Sequence, residues 1–475
     1  MRDTEYDAVV VGAGPNGLVG AITLARTGRK VLLLEAAPII GGGMRSGELT
    51  RPGFVHDICS TVQALGVASP AFGELDLESH GVVWCRPEIA IAHPLDGGRA
   101  ALLRQNIGAT TAAFAPDDAQ RYEQLMGPLV AHQTNLVATL LSPFRIPPAP
   151  IQAAAFGRHA IRSAHGLART RFTGDEPRAL IAGSAAHSIQ PLGNIGTAGY
   201  GLFLNLLAHA NGWPVAKGGS QQLANALGAV FAGFGGEIVV NNSVAGLFAI
   251  PPAPITLLDV TPRQFLAMAG DRVTGHARRA LAKFRYGPGV FKIDWALDAP
   301  IPWTNPDVRL AGTVHVGGTL DEITDSEGEV ARGHHPDQPF VLLVQPTVMD
   351  PSRAPEGRHV AWAYCHVPNG STLDRTEVIE HQIERFAPGF RDVILDRHVM
   401  NTAAIEEHNA NYVGGDINGG AGDLRQLFTR PVLSLHPWAT PIDGVYLCSS
   451  STPPGGGVHG MGGLHAARLA LTRQS

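Results

Sequence analysis

This 475-residue sequence predicts an α/β fold: a parallel sheet carried by one unit, joined to a second unit of mixed α+β character. Three observations predict it. A short β-branched run near the start passes directly into a glycine-patterned turn and a helix-like stretch. A second strand-like run follows and ends on an acid. A strand, a glycine-rich turn and a helix recur together at the far C-terminus. Strands alternating with helices are the pattern of a parallel sheet covered on both faces.

Residues 6–11 (YDAVVV) read as a buried parallel strand. Gly12, Gly14 and Gly17 follow in the spacing GxGxxG, with Pro15 and Asn16 inside the turn. Gly12 permits the tight bend, Gly14 lets a phosphate approach the backbone, and Gly17 allows close packing of helix on strand. Residues 18–27 are helix-like, Ala21 sits where that helix must lie tight on the sheet, and Gly28 serves as the C-cap. Residues 31–34 form the second strand, with Glu35 at its end, where a carboxylate accepts hydrogen bonds from ribose hydroxyls. A pyrophosphate belongs at the helix N-terminus, where unpaired N–H groups and the helix dipole favour negative charge. The parts fall in this order over one short stretch, so they specify a dinucleotide site where a lone glycine motif would not.

A second glycine-rich turn, AAPIIGGGMRSGEL, starts at Ala36 and places Gly41, Gly42, Gly43, Met44 and Arg45 beside the first. Its backbone can line a cofactor, and Arg45 can offset pyrophosphate charge. At the other end of the chain, residues 444–448 (GVYLC) read as a strand, 449–463 as a glycine-rich turn and 464–473 as a helix. Ser451, Gly456, Gly457, Val458, Gly460 and Met461 belong to that turn. A second helix start of this kind can stabilise negative charge on a reduced flavin ring. These features together predict FAD, held by residues from both ends of the chain.

Four segments resemble the phytoene desaturase-like branch of the flavin amine oxidase superfamily. They are VVVGAGPNGLVGAITLARTGRKVLLLEA, GGGMRSGEL, AKGGSQQLANALGAVFAGFGGEIVVNNSV and YLCSSSTPPGGGVHGMGGLHAARLAL. NGSTLD at 369–374 and GGDINGG at 414–420 are similar to the subgroup with carotenoid ketolase-like proteins and an animal mitochondrial oxidoreductase. The resemblance implies a discontinuous Rossmann-type FAD-binding domain and Val244 touching adenine through its backbone. It also implies substrates ranging from carotenoids and retinoids to amines. One departure stands out. After Val244 the family inserts three antiparallel strands, but this chain offers only LFAIPPAPITLLDV, whose double proline cannot donate to a ladder. The insert is expected to be missing, with ITLLDV supplying the last sheet strand. No second GxGxxG in strand–helix context appears, so a separate NAD(P)H domain is not expected.

The expected FAD-binding domain comprises residues 1–65, 214–280 and 425–475, and the substrate domain 66–213 and 281–424. Residues 116–165 and 175–212 lean helical, broken at Pro143, Pro147, Pro148 and Pro150. Runs at 289–297, 312–318, 340–345 and 359–365 predict an antiparallel sheet over the flavin, and 374–386 an amphipathic helix with Ile379 and Ile383 on its apolar face. Residues 129–144 are a candidate lid or apolar channel wall, with an ordinary buried helix pair as the plainer alternative.

Composition excludes several functions. The net charge of −5 with no basic stripe argues against nucleic acid. Four scattered cysteines without a CxxC pair argue against a disulfide framework, a zinc ribbon and a dithiol centre, and no metal is expected. The first strand begins near Tyr6 and no apolar run reaches spanning length, so a cytoplasmic protein is expected. A peripheral apolar contact with membrane and a homodimer both stay open. The expected partner is a small apolar substrate.

His56 and Asp57, following the second glycine turn, and His459, inside the C-terminal turn, are the candidate catalytic groups. The leading expectation is a dehydrogenase or desaturase that passes hydride from an apolar, isoprenoid-like substrate to flavin N5. A flavin amine oxidase is the alternative, with Tyr364, Tyr412 and Trp438 available for an aromatic cage. A redox-silent flavoprotein acting as isomerase or interaction partner is the third.

Overall fold

The computed structural model describes residues 5–143 and 147–474. Two sheets organise it. The first has five strands, all parallel, in the order Val445–Leu447, Ile255–Leu258, Ala8–Val11, Val31–Leu34, Glu237–Val239. Four of these five strands are buried along their whole length, because helices cover one face and helix Pro262–Ala269 with the 244–253 link covers the other. The helices Pro15–Ala25, Gln221–Gly233 and Met461–Gln474 pack against this sheet. Among the described residues no strand lies between Val239 and Ile255, so the short link around the double proline crosses directly to the strand on the far side of Ala8–Val11.

The second sheet has seven strands, ordered Ile394–Met400, Gly289–Leu297, His359–Val367, Val341–Val344, Ala311–Val316, Ile89–Pro94, Ala100–Leu103. The four strands expected from the sequence pair antiparallel with one another, and Ile89–Pro94 adds to them. Ala311–Val316 runs parallel to Ile89–Pro94, so the sheet is mixed. That parallel pair arises because Ile89–Pro94 and its hairpin partner enter from the earlier segment of the chain and dock on the outer strand. One face, with Ile293, Trp295, Leu343, Ala361 and Ala363, buries its own core under helix Thr376–Glu384. The opposite face turns toward the first sheet.

The helical block consists of Pro116–Ala131, Gln133–Leu140, Pro150–Ala160, Ala164–Arg171, Asp175–Ala186 and Thr197–Asn211. The stretch 129–144 is thus two helices meeting at His132, with Phe144 outside the described residues. Leu136 and Val137 are buried in the main core, and no described residue of the stretch lines the cavity below. No helix among the described residues is long and apolar enough to cross a membrane.

Candidate functional site

The three glycine-rich segments converge. Gly12 adopts φ +97°, which favours glycine, and a Cβ at Gly17 would fall 1.8 Å from the Gly12 carbonyl oxygen. The helix therefore lies against the turn with no room between. Its N-cap, Gly14, has no side chain of its own, so the Asn16 amide stays available to an anion, while the Gly17 amide is held by Asp259. The second turn locks onto the first: Gly41 N donates to the Ala13 carbonyl at 2.8 Å, and a Cβ at Gly42 would meet Gly14 Cα at 2.9 Å. Glu35 accepts from the Ala13 and Ala37 amides at 2.7 and 2.8 Å, which fixes its carboxylate at the strand end. From the far end of the chain, Gly462 N donates to Asn16 Oδ1 at 3.2 Å.

A cavity of about 860 Å³ runs along this junction. Gly12, Gly14, Pro15, Asn16, Glu35 and Ala36 line one end, continued by Gly42, Gly43, Arg45 and Val244. Gly457 and Val458 close on it from the C-terminal turn. Its other end is walled by Trp213, Thr313, Leu342, Val344, Trp362 and Tyr364. Strand periodicity explains that wall: Leu342 pairs with Tyr364 and Val344 with Trp362, so alternate residues of adjacent strands present one aromatic and aliphatic face.

Several expected contacts lie elsewhere. Gly17, Met44, Ser451, Gly456, Gly460 and Met461 do not line the cavity. Gly17 is spent on helix–turn packing and donates its amide to Asp259 Oδ2 at 3.1 Å. Met44 is fully buried in the core, and Met461 is buried at the head of the last helix. Ser451 bonds Ser449 at 2.6 Å, Gly456 packs on the Asn418 backbone, and Gly460 packs on Val19.

The three catalytic candidates are also displaced from the cavity wall. Asp57 is fully buried. It accepts from Ser46 Oγ and Ser220 N at 2.6 and 2.8 Å and pairs with Arg353 at 2.9 Å. Burial alone would raise its pKa, but Arg353 and those donors hold it below the usual carboxylate value. Asp57 thus ties three chain segments together. His56 lies between Thr50 Oγ1 at 2.8 Å and Asp294 at 3.6 Å, and burial pushes its pKa down to about 4. His459 accepts the Met461 amide on Nδ1 at 3.1 Å, capping the last helix, and burial holds it at about 4. Of the aromatic candidates, Tyr364 and Tyr412 line the cavity, whereas Trp438 is buried with its indole N–H on the Pro453 carbonyl.

Other groups at the site escape a reading by motif. Asp259 follows strand Ile255–Leu258, beside the central strand, and lies against Gly12 and Gly14; burial raises its carboxyl pKa to about 7. Its signal was the acid closing ITLLD, the same position on its strand that Glu35 occupies on its own. Lys292, 3% exposed, pairs with Asp294 at 2.5 Å and lies 5.1 Å from the Trp362 ring centre. It opens onto a small chamber shared with Cys59, Tyr364, His408 and Tyr412. His187, at the C-cap of helix Asp175–Ala186, lines the apolar end. No local pattern marks Lys292 or His187, since folding alone brings His187 to the cavity and Lys292 to the small chamber beside it.

Residues 10–70 match the family of NAD(P)-binding Rossmann-like domains. The mouse pyridine nucleotide-disulfide oxidoreductase domain-containing protein 2 is 26% identical over 98% of this chain and 93% of its own length. The neurosporene-forming phytoene desaturase of Rhodobacter capsulatus is 23% identical over 95% of this chain and 91% of its own. This chain is an FAD-binding flavoprotein with a Rossmann-like cofactor domain. Putrescine oxidase, solved with putrescine, has the same fold, with a TM-score of 0.61 over 99% of both chains at 16% identity. The residues fit the cofactor. The uncapped helix start and the touching glycine turns suit a pyrophosphate, Glu35 suits a ribose, and the cavity continues past them to Gly457 and Val458. Among the described residues no group of three or more His, Cys, Asp or Glu could hold a metal ion.

Proposed function

We propose that this flavoprotein is a dehydrogenase or desaturase that takes hydride from an apolar, isoprenoid-like substrate. One observation carries the reading: the dinucleotide cavity continues without a break into a chamber walled by Trp213, Leu342, Val344, Trp362 and Tyr364. Such walls hold an apolar chain by burial and exclude water from the reacting carbon. Bound FAD supplies the hydride acceptor. The chain supplies position and charge: Gly457 and Val458 border the cofactor groove, and the Lys292 ammonium stands beside Tyr364 where added negative charge would be favoured. In this reading residues 1–65, 214–280 and 425–475 hold the cofactor, and 66–213 with 281–424 hold the substrate.

The amine oxidase alternative draws on the putrescine oxidase fold and on Tyr364 and Tyr412 at the cavity. Anaerobic titration of the FAD-loaded protein separates the two. Bleaching of the flavin band by polyenes and not by amines supports the proposal. Bleaching by amines alone overturns it in favour of the oxidase. No bleaching by either overturns both and leaves a redox-silent flavoprotein.

A further inference from the structure

Behind the apolar wall lies a row of three histidines. His187 lines the cavity, and its Nε2 is 3.0 Å from Nε2 of His315, which is fully buried. Nδ1 of His315 and Nδ1 of His93, also fully buried, have no hydrogen-bond partner. Both border the space beside Gly183, where a Cβ would lie 2.5 Å from the first and 2.9 Å from the second. At the inner end, His93 Nε2 is 2.6 Å from the Gly318 carbonyl oxygen.

Those contacts order the protons. A carbonyl only accepts, so His93 carries its proton on Nε2 and its Nδ1 is bare. If His315 were also bare at Nδ1, two lone pairs would face one dry space, so its proton belongs on Nδ1. That leaves His315 Nε2 as an acceptor, and His187 must donate its Nε2–H across the 3.0 Å contact. Nδ1 of His187 is then bare, on the one ring of the three that is only partly buried and reaches the cavity. Burial keeps all three rings neutral, with His187 down to about 3, His93 to about 4 and His315 well below its ordinary value, so no extra proton scrambles the order. The two neighbouring indole donors are already used: Trp213 donates to Thr313 and Trp362 to Thr61, each at 2.8 Å.

We propose that His187 recognises the ligand of this chamber, and that the ligand is a largely apolar molecule bearing a hydroxyl whose O–H donates to His187 Nδ1. His315 and His93 are positioning residues that keep that nitrogen bare. The inference rests on reading the chamber as the substrate site, and it names the substrate class more closely.

The test uses the FAD-loaded protein and three probes: a C20 isoprenoid alcohol, its methyl ether and the parent hydrocarbon. Binding is followed by the flavin absorption shift and by tryptophan fluorescence. The ether keeps the oxygen and loses the donor, so the wild type should bind the alcohol about tenfold tighter than the ether. His187→Leu should bind all three within about twofold of one another, leaving ether affinity unchanged. His315→Phe keeps His187 but frees its proton to either nitrogen, so discrimination should collapse there too. If that variant does not fold, His187→Leu decides the matter alone. Equal binding of alcohol and ether by the wild type, discrimination that survives in His187→Leu, or failure to bind any probe overturns the inference. Flavin bleaching reads the proposed reaction separately. A His187-dependent preference without bleaching refutes the reaction and leaves the recognition standing.

Discussion

Gly463→Ala tests the convergence of the two chain ends directly. Gly463 lies in the last helix, and an added Cβ would fall 1.8 Å from the Asn16 carbonyl oxygen and 2.8 Å from Gly20 N. Real Cβ atoms stay at least 3.0 Å from such a neighbour, and backbone cannot swing aside as a side chain can. The two helices must therefore separate by about 1.2 Å, the shortfall between those distances. Overpacking against rigid backbone costs about 3 kcal/mol. Alanine recovers about 1 kcal/mol over glycine as a helix former. The net loss is about 2 kcal/mol, which at about 2.1 cal/mol/K per residue over 475 residues is a fall in melting midpoint of roughly 2 °C. The shift also carries the C-terminal turn away from Asn16, so FAD should bind about tenfold more weakly. Gly157→Ala is the control: it is also helical, but nothing lies within 4 Å of its added methyl, so it should stabilise by up to about 1 kcal/mol. Melting is read by circular dichroism and by release of flavin fluorescence, and affinity by FAD titration. A Gly463→Ala protein that melts with the wild type and binds FAD equally well refutes the convergence.

Three further expectations follow from buried charge. Asp57→Asn leaves the fully buried Arg353 without its carboxylate and should destabilise by about 3–5 kcal/mol while the bound flavin spectrum stays unchanged; normal melting with lost turnover would instead make Asp57 catalytic. Asp259, raised to about 7, is neutral below that pH and charged above it, beside the turn that receives the pyrophosphate. FAD should therefore bind more weakly as pH rises from 6 to about 9, by up to about tenfold per unit, and Asp259→Asn should flatten the profile; parallel profiles for the two proteins would contradict this. His56, His93 and His459, held at about 4 against an ordinary 6.5, do not take up protons that the unfolded chain binds below 6.5. Stability should fall between pH 6.5 and 4 by about 3 kcal/mol per ring. Asp259 and Asp416, both raised by burial, oppose this, but His187, His315 and His408 are depressed like the three, so a melting midpoint that climbs on acidification would count against the burial.

The dinucleotide unit was legible because its physics is local. GxGxxG, the strand before it, the acid after it and the uncapped helix start are dictated by turn geometry and helix electrostatics within a few residues of each other. The strand 289–297 matched its expected bounds for a similar reason: a long apolar run between turn residues has few other ways to fold. Only tertiary structure decided which side chains meet the cavity. His56 and Asp57 sit next to the correct motifs, yet Asp294 and Arg353, distant in sequence, turn them into the scaffold, while His459 bonds its own neighbour Met461. His187 and Trp362 reach the cavity, and Lys292 the small chamber beside it, from three distant segments that no spacing rule connects. Backbone conformation follows from neighbours in sequence, whereas a side chain's chemistry follows from neighbours in space, and packing of the two sheets supplies those.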